Sequence, residues 1–301
     1  MSDSIRTSVI VVNRDDTRVA KTLEALSSTQ RDGTVEVIVV DASDGRLDHI
    51  RTRFHWVNWI EFDSPRGSRR TIARQRNIGL RRAMGSTIAF VDANCQPQEL
   101  WLDRLIEPIS TGGASLVSGR VVSTGRSTLH DRSEPYDLGS DGYLTECGTI
   151  NLAIKRDVFD AIGEFDEQLG FAEDVDLSWR AVDAGFKIFF AGDATVSHEW
   201  DGTRGDLERA CRYGVGRVRL YRKHPSRRRR LATLDLNAVV YPIFLIGLPI
   251  ALIFPSYVLI LAVPLIKSRK NHPFATVLYG LSYGSGVLSE IAHIPVLKSQ
   301  R

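Results

Sequence analysis

The first third of the chain alternates between two apolar patterns. Ser8-Val-Ile-Val-Val12 and Val35-Glu-Val-Ile-Val-Val40 are short β-branched runs that read as buried strands, the second ending at Asp41. Between them a polar turn, Asn13 to Asp16, precedes Val19, Leu23 and Leu26 at helical spacing. Trp56 to Phe62 is a candidate third strand. Residues 71–84 predict a helix carrying Ile72, Ile78 and Leu80 among arginines, and Thr87-Ile-Ala-Phe-Val91 is a further strand ending at Asp92. Strand–helix–strand repetition of this kind predicts an α/β fold with a mostly parallel sheet covered on both faces. Ligands of such sheets bind beyond the carboxyl ends of the strands, where Asp41 and Asp92 stand.

From Ser115 the pattern is mixed. Leu116 to Val122 and Lys187 to Ala191 read as strands, Asp157 to Ile162 and Val175 to Ala184 as short helices, and polar Arg126 to Gly142 as a long loop. After Asp235 the composition changes. Leu236 to Ile266 has no charged residue, and as one helix rising about 1.5 Å per residue it would exceed the ~30 Å hydrocarbon core of a bilayer. Pro242, Pro249, Pro255 and Pro264 break it, and basic clusters flank it, Arg227–Arg230 before and Lys267, Arg269 and Lys270 after. Positive residues favour the cytoplasmic side, so two basic flanks predict a re-entrant or tight hairpin turning near Gly247–Pro255. A single tilted span and two buried helices of a soluble core are the competing readings. Phe274 to Leu297 is a weaker apolar segment carrying Glu290 and His293, suited to the interface or to packing on the hairpin.

Composition adds exclusions. The 301 residues, 43% hydrophobic and 25% charged, allow one large α/β domain with an appendage. A net charge of +3 is too small to make nucleic acid a partner, and the arginine run lacks the interleaved aromatics that stack on bases. Basic residues instead concentrate from Arg209 to Arg230, beside the apolar segment, which suits anionic lipid. Cys95, Cys147 and Cys211 are scattered, which argues against a disulfide framework or zinc site and suits a reducing cytosolic setting. Met1 to Thr7 is short and polar, unlike a signal peptide.

The candidate chemistry is acidic and basic. Asp41 and Asp92 suit either turn or cap positions or contact with a strand-end ligand, and Asp92-Ala-Asn94 sets carboxylate and amide oxygens at i and i+2 on one loop. Glu173-Asp174-Val-Asp176 holds three carboxylates ahead of a helix, more than a cap and a helix dipole need. His198, just past a strand, is a packed residue unless it meets Asp92 and Asn94 in space. Arg66, Arg69, Arg70, Arg74 and Arg76 cluster around a glycine turn, either as a solvated helix face or as forks for phosphate oxygens.

Taken in order, these segments resemble the family 2 glycosyltransferases with the A-type nucleotide-sugar-binding fold. The resemblance rests on Ser8-Val-Ile-Val-Val, Val-Val-Asp41, Arg76-Asn77-x-Gly79 and Phe90-Val-Asp92-x-Asn94. It continues through Gly148-Thr-Ile-Asn151-Leu-Ala-Ile-Lys-Arg156, Gly163-x-Phe165-Asp166-Glu167 and Glu173-Asp174-x-Asp176-Leu-x-Trp179-Arg180. It implies a Rossmann-like catalytic domain over residues 1–205; outside it, composition predicts a basic juxtamembrane segment over 206–235 and membrane-associated helices over 236–301. The implied reaction is an inverting single displacement from a nucleotide-diphosphate sugar, with Asp174 as catalytic base. Asn13, Asp41, Arg74, Arg76, Asn77 and Asp92 would contact the donor, and Asn151, Glu173, Trp179 and Arg180 would line the acceptor side. Asp92, Asn94 and His198 would hold Mg²⁺ or Mn²⁺. Two positions depart from the family pattern. Asn94 replaces the second aspartate of Asp-x-Asp, so the cation loses a negative ligand for which the arginines offer a partial substitute, and Ala42 replaces an acidic residue after Asp41. The acceptor expected for such a chain is a lipid-linked or cell-envelope glycan, with the enzyme on the membrane and its catalytic domain facing the cytoplasm. A noncatalytic membrane scaffold that retains the fold is the alternative. A sugar nucleotidyltransferase would need a glycine-rich basic loop where Asn13-Arg-Asp-Asp16 stands.

Overall fold

The β-branched runs form the expected strands. In the computed structural model, β1 (Thr7–Asn13), β2 (Val35–Asp41), β3 (Asn58–Glu61) and β4 (Thr87–Asp92) lie parallel in the order β3-β2-β1-β4. Residues 6–30, 33–63, 70–124, 137–199, 202–232, 235–262, 266 and 273–293 are described. They fall into two units, one through Glu199 and one from the residues after it.

Alternation along the strands builds two cores in the first unit. Val9, Val11, Val37, Val39 and Val91 face α1 (Val19–Leu26) and α4 (Trp101–Ser110), burying Leu23, Leu26, Trp101 and Leu105. Ile10, Ile38, Val40, Ile88 and Phe90 face the other way, onto α3 (Ile72–Arg82), α5 (Arg156–Ile162) and α6 (Glu173–Asp183). The four-residue α2 (Asp48–Arg51) adds Ile50 to the first core. With both faces covered, β1, β2 and β4 read as continuous apolar runs, whereas the edge strand β3 is partly exposed.

The mostly parallel expectation is corrected, because the full sheet is mixed. β8 (Asn151–Lys155) inserts antiparallel between β4 and β6 (Leu116–Thr124), and β6 pairs parallel with the long β9 (Ile188–Glu199). β5 (Cys95–Pro97) and β7 (Gly142–Leu144) both run antiparallel to β9. Antiparallel neighbours need no crossover helix, so the helix-to-strand rhythm that signals a parallel sheet fades after β4. The β6–β9 register shifts between Gly119 and Arg120. A Cβ at Gly119 would lie 2.3 Å from the Ala194 carbonyl oxygen, so this bulge accepts only glycine.

In the second unit, α7 (Thr203–Lys223) and α9 (Pro273–Ile291) approach through small residues, Gly214 against Tyr283 and Gly286 against Cys211. α8 (Asn237–Ile246) lays Tyr241 on Gly280 and Gly284 of α9. The basic stretch is not a uniformly solvated face. Arg209 pairs with Asp206, Arg217 with Asp235, and Arg219 and Arg222 with Glu290. After Gly247 the chain doubles back through 3₁₀ turns at Leu248–Leu252 and Pro255–Leu261. The Tyr257 hydroxyl donates to the Ile243 carbonyl at 2.8 Å, and its ring stacks on Phe244 at 5.7 Å. Among the described residues no helix is long and apolar enough to cross a membrane, which corrects the transmembrane-helix expectation: the prolines cut the apolar stretch into short pieces. Pro264, Lys267, Arg269, Lys270 and the end of the segment running to Leu297 lie outside the described residues.

Candidate functional site

The predicted donor residues gather at the carboxyl ends of β1, β2 and β4. Asn13 ends β1 beside Asp41, which ends β2, and their register pairs them. Asn13 Nδ2 donates to Asp41 Oδ1 at 3.3 Å, and the Ser43 hydroxyl donates to the same oxygen at 2.5 Å. Burial pushes the Asp41 carboxyl above its ordinary range, against the opposing pull of the Ser43 hydroxyl and N–H. Asn13 Oδ1 is buried and has no hydrogen-bond partner in the protein. Gln75 of α3 clamps the two strand ends, donating to the Asn13 carbonyl at 2.8 Å and the Val40 carbonyl at 3.2 Å. Sequence reasoning passed over Ser43 and Gln75. The i+2 spacing of Ser43 after Asp41 is a side-chain turn signal, whereas Gln75 was masked by its flanking arginines.

Arg76, also on α3, is the hinge of the site. Its Nη1 reaches Glu173 Oε1 at 2.5 Å and its Nη2 reaches Asp92 Oδ1 at 3.5 Å, so one guanidinium spans the donor-side strand end and the acidic turn that opens α6. Its side chain is 4% exposed, and its guanidinium lies 5.7 Å from the centre of the Phe165 ring. Burial, then the neighbouring Asp174 charge, holds the Glu173 carboxyl up at about 7, with Arg76 pulling the other way. Asp174 is half-buried, and its Oδ1 accepts the Val175 N–H at 2.8 Å. Ala172, just before this turn, takes a left-handed φ of 66°, a conformation an alanine holds at a cost of about 1–2 kcal/mol.

Several predicted contacts turn inward. Asn77 is fully buried. Its Nδ2 donates to the Phe165 carbonyl at 2.9 Å and to Glu167 at 3.0 Å, and its Oδ1 accepts the Phe165 N–H at 3.0 Å. Asn151, 1% exposed, accepts from the Trp101 indole at 2.8 Å and donates to the Arg120 and Ala194 carbonyls. Neither amide is directed to a ligand: Asn77 fastens the 165–167 turn, and Asn151 fastens β8 to its neighbours. Arg180 latches the carbonyls of Ile162 and Glu164 while pairing with Asp176 at 2.8 Å. Trp179 is buried and presents its indole N–H to Glu146, a carboxylate the sequence reading did not single out. Arg74 packs over Phe62 and lies 4.0 Å from Glu167, and Arg70 pairs with Asp44 at 2.8 Å. Arg66 and Arg69 lie outside the described residues.

Asn94 and His198 stand at the β5–β9 junction, while Asp92 ends β4. Asn94 leads into β5, whose Cys95 pairs in register with His198. Asn94 Nδ2 donates to the Glu199 carbonyl at 2.9 Å, and the Glu199 N–H returns a bond to the Asn94 carbonyl at 3.1 Å. The amide nitrogen is thereby committed to the strand, leaving Oδ1 as the acceptor end. Arg18, held bidentately by Asp16, reaches the same Glu199 carbonyl at 3.0 Å. Among the described residues no three His, Cys, Asp or Glu side chains converge as a metal cage. The donor set on hand, one carboxylate, one amide oxygen and one imidazole, fits a hard divalent cation completed by ligand oxygens and water rather than a resident ion. The three cysteines are buried and free, and burial pushes the Cys147 thiol up to about 12. A cavity of about 810 Å³ opens at the amino ends of the parallel strands, near Thr7, Thr87 and Lys155, and holds none of these site residues.

A mixed sheet with acidic strand ends, an Asp-x-Asn turn and an acidic helix start across one guanidinium is the architecture of an A-type glycosyltransferase. The profile of glycosyl transferase family 2 matches residues 8–163, just over half of the chain, and the protein belongs to that family. It is 29% identical over 245 residues to glycosyltransferase AglE of Haloferax volcanii, covering 77% of this chain and 79% of that protein. It is 27% identical over 171 residues to the pre-mycofactocin glycosyltransferase of Mycobacterium tuberculosis, covering 52% of this chain and 36% of that one. Among solved structures, the mannosyltransferase PcManGT of Pyrobaculum calidifontis, in complex with GDP-Man and Mn²⁺, aligns with a TM-score of 0.67 at 17% identity. That alignment covers 96% of this chain and 87% of the other. GalNAc-T7 with UDP, GalNAc and Mn²⁺ aligns at 0.55 and 17% identity, covering 74% and 48%. At such identities the solved structures speak for the fold.

Proposed function

We propose that this glycosyltransferase moves a sugar from a nucleotide-diphosphate donor to a hydroxyl acceptor with inversion at the anomeric carbon. The observation that carries this reading is the Arg76 bridge, which sets Asp92 and the Glu173–Asp174 turn at opposite ends of one guanidinium. The unpartnered Asn13 amide oxygen beside the Asp41 carboxylate suits the N–H groups of a nucleobase. Asp174 accepts the acceptor's proton as its oxygen attacks the anomeric carbon, and the bond to the diphosphate breaks with its electron pair leaving on the nucleoside diphosphate. Asp92, Asn94 and His198 would hold Mg²⁺ or Mn²⁺, whose role is to offset the charge of the departing diphosphate. Support for a divalent cation comes from the two structural neighbours, both of which carry Mn²⁺.

The acceptor side reads as a lipid-linked or cell-envelope glycan, reached by a protein resting on a membrane with this unit facing the cytoplasm. Support comes from the hairpin, where Leu252 is 88%, Ile253 75% and Leu259 70% exposed, and from the exposed Arg228 and Arg229 in the same unit. The test is nucleoside diphosphate release from detergent-solubilised protein with a panel of nucleotide sugars and a lipid extract, in Mg²⁺, Mn²⁺ or chelator. Acceptor-dependent release from one donor is expected, abolished by Asp174→Asn with donor binding retained. Near-normal turnover in that variant removes Asp174 as the base, and saturable donor binding without release from any donor favours the scaffold.

A further inference from the structure

We propose that Arg76 and Glu173 form a charge bridge that ties occupancy of the donor end to the proton affinity of the acceptor base, with Glu173 a positioning residue that never touches the acceptor. The inference rests on the reading of Asp174 as that base and goes beyond it by assigning a role to its buried neighbour.

Geometry carries the argument. The Arg76 and Glu173 side chains are 4% and 6% exposed, whereas Asp92, at the other end of the guanidinium, is 24% exposed. Glu173 is therefore shut away from an acceptor, while Asp92 is reachable from solvent. The guanidinium is tightly housed. Phe165 lies beneath it, and that ring's backbone is pinned at both N–H and carbonyl by Asn77. A small rotation suffices to divide its charge differently between the two carboxylates, which are 2.5 Å and 3.5 Å away. The charged and titratable groups around Glu173 are Arg76 from α3, Asp92 beyond it on β4, and Asp174 on its own turn. The Cys147 thiol lies near both Asp174 and Glu146.

The balance of these charges makes the bridge responsive. Glu173 holds its proton to about 7 because it is buried and sits beside Asp174. A cation held at Asp92 would compete with Arg76 for that carboxylate and so leave the guanidinium more fully to Glu173. That favours the ionised Glu173 carboxylate, which releases a proton. An ionised Glu173 beside Asp174 raises the proton affinity of Asp174, so the base is strengthened when the donor is in place.

Proton release on nucleotide binding tests this without turnover. The full-length protein is titrated calorimetrically with preformed Mn²⁺·GDP and Mn²⁺·UDP near pH 6.5, in buffers of different ionisation enthalpy. If binding lowers the Glu173 value by about one unit, the wild type releases roughly half a proton more than Glu173→Gln, the nucleotide's own protons cancelling in the difference. Equal proton counts in the two proteins, with comparable affinity, overturn the bridge. If Glu173→Gln melts below the working temperature, Arg76→Lys replaces it. That variant keeps the charge but not the two-pronged reach, and it is expected to lose more than half of the release. Unchanged release in Arg76→Lys also overturns the bridge. Failure of the donor reading looks different: neither nucleotide binds the wild type, and both proposals fall.

Discussion

Asn77 decides between a residue that holds the donor and one that holds the fold. Asn77→Ala removes the partner of the Phe165 N–H and of its carbonyl, and it frees Glu167. Phe165 is 3% exposed, so both main-chain groups lose a partner where water does not replace it. At about 1–3 kcal/mol for each of the two orphaned buried groups, the loss sums to roughly 2–6 kcal/mol. For a unit of this size, about 2–4 °C of melting temperature per kcal/mol converts that to roughly 4–24 °C. Tryptophan fluorescence is the assay, since Trp56, Trp59, Trp101 and Trp179 all lie in this unit. Nucleotide affinity, measured well below the melt, is the second reading. A melt within about 2 °C of wild type together with a tenfold or greater loss of nucleotide affinity would refute the reasoning and return Asn77 to the donor.

Glu173 predicts a pH dependence of stability. Its carboxyl is held at about 7 against an ordinary 4.5, so folding is favoured most below the ordinary value, and that stability is lost as pH rises through 7. Relative to wild type, Glu173→Gln therefore gains with rising pH, by up to ~3 kcal/mol between pH 4.5 and 8, and a flat difference in urea melts sinks the assignment. Asn94→Asp loses the bond from Nδ2 to the Glu199 carbonyl and sets a carboxylate against that oxygen, costing about 1–2 kcal/mol without metal. The added charge should tighten Mn²⁺ roughly tenfold, read as a melting temperature that Mn²⁺ restores in the variant, and no response to Mn²⁺ counts against the site. Gly280→Ala drives a Cβ to 2.0 Å from the Tyr241 ring, so amide exchange in α8 and α9 should accelerate while the catalytic unit keeps its protection.

β1, β2 and β4 were legible because they are buried on both faces and therefore written as unbroken apolar runs. β5, β7 and β8 were not. Cys95–Pro97 and Gly142–Leu144 are too short to show a period, and Asn151–Lys155 follows a loop with no sign of its direction. Asp41 and Asp92 were singled out by position as well as by motif, since strand ends are where such sheets bind ligands. The motifs singled out Asn77, Asn151, Trp179 and Arg180, but a motif does not say which way a side chain points. Each of these carries enough hydrogen-bonding capacity to fasten a turn or to hold a ligand, and only the placement of Phe165, Trp101, Glu146 and the Ile162 carbonyl reveals which it does.

The same placement changes the argument about the cation. Read from sequence, the arginines offered a substitute for the charge lost at Asn94. In the fold, those that are described already have anionic neighbours: Arg70 pairs with Asp44, Arg74 lies by Glu167, and Arg76 is divided between Glu173 and Asp92. Asp41, Asp92, Glu173 and Asp174 together outnumber the positive charge at the strand ends. A diphosphate entering such a place meets repulsion unless positive charge arrives with it. The absence of a second aspartate at position 94 weakens a resident metal, but it does not weaken the need for a cation carried in by the nucleotide. For the proposed reaction, the site is therefore matched to a cation–nucleotide complex bound as a unit, to which Asn94 would bring an oxygen and no charge.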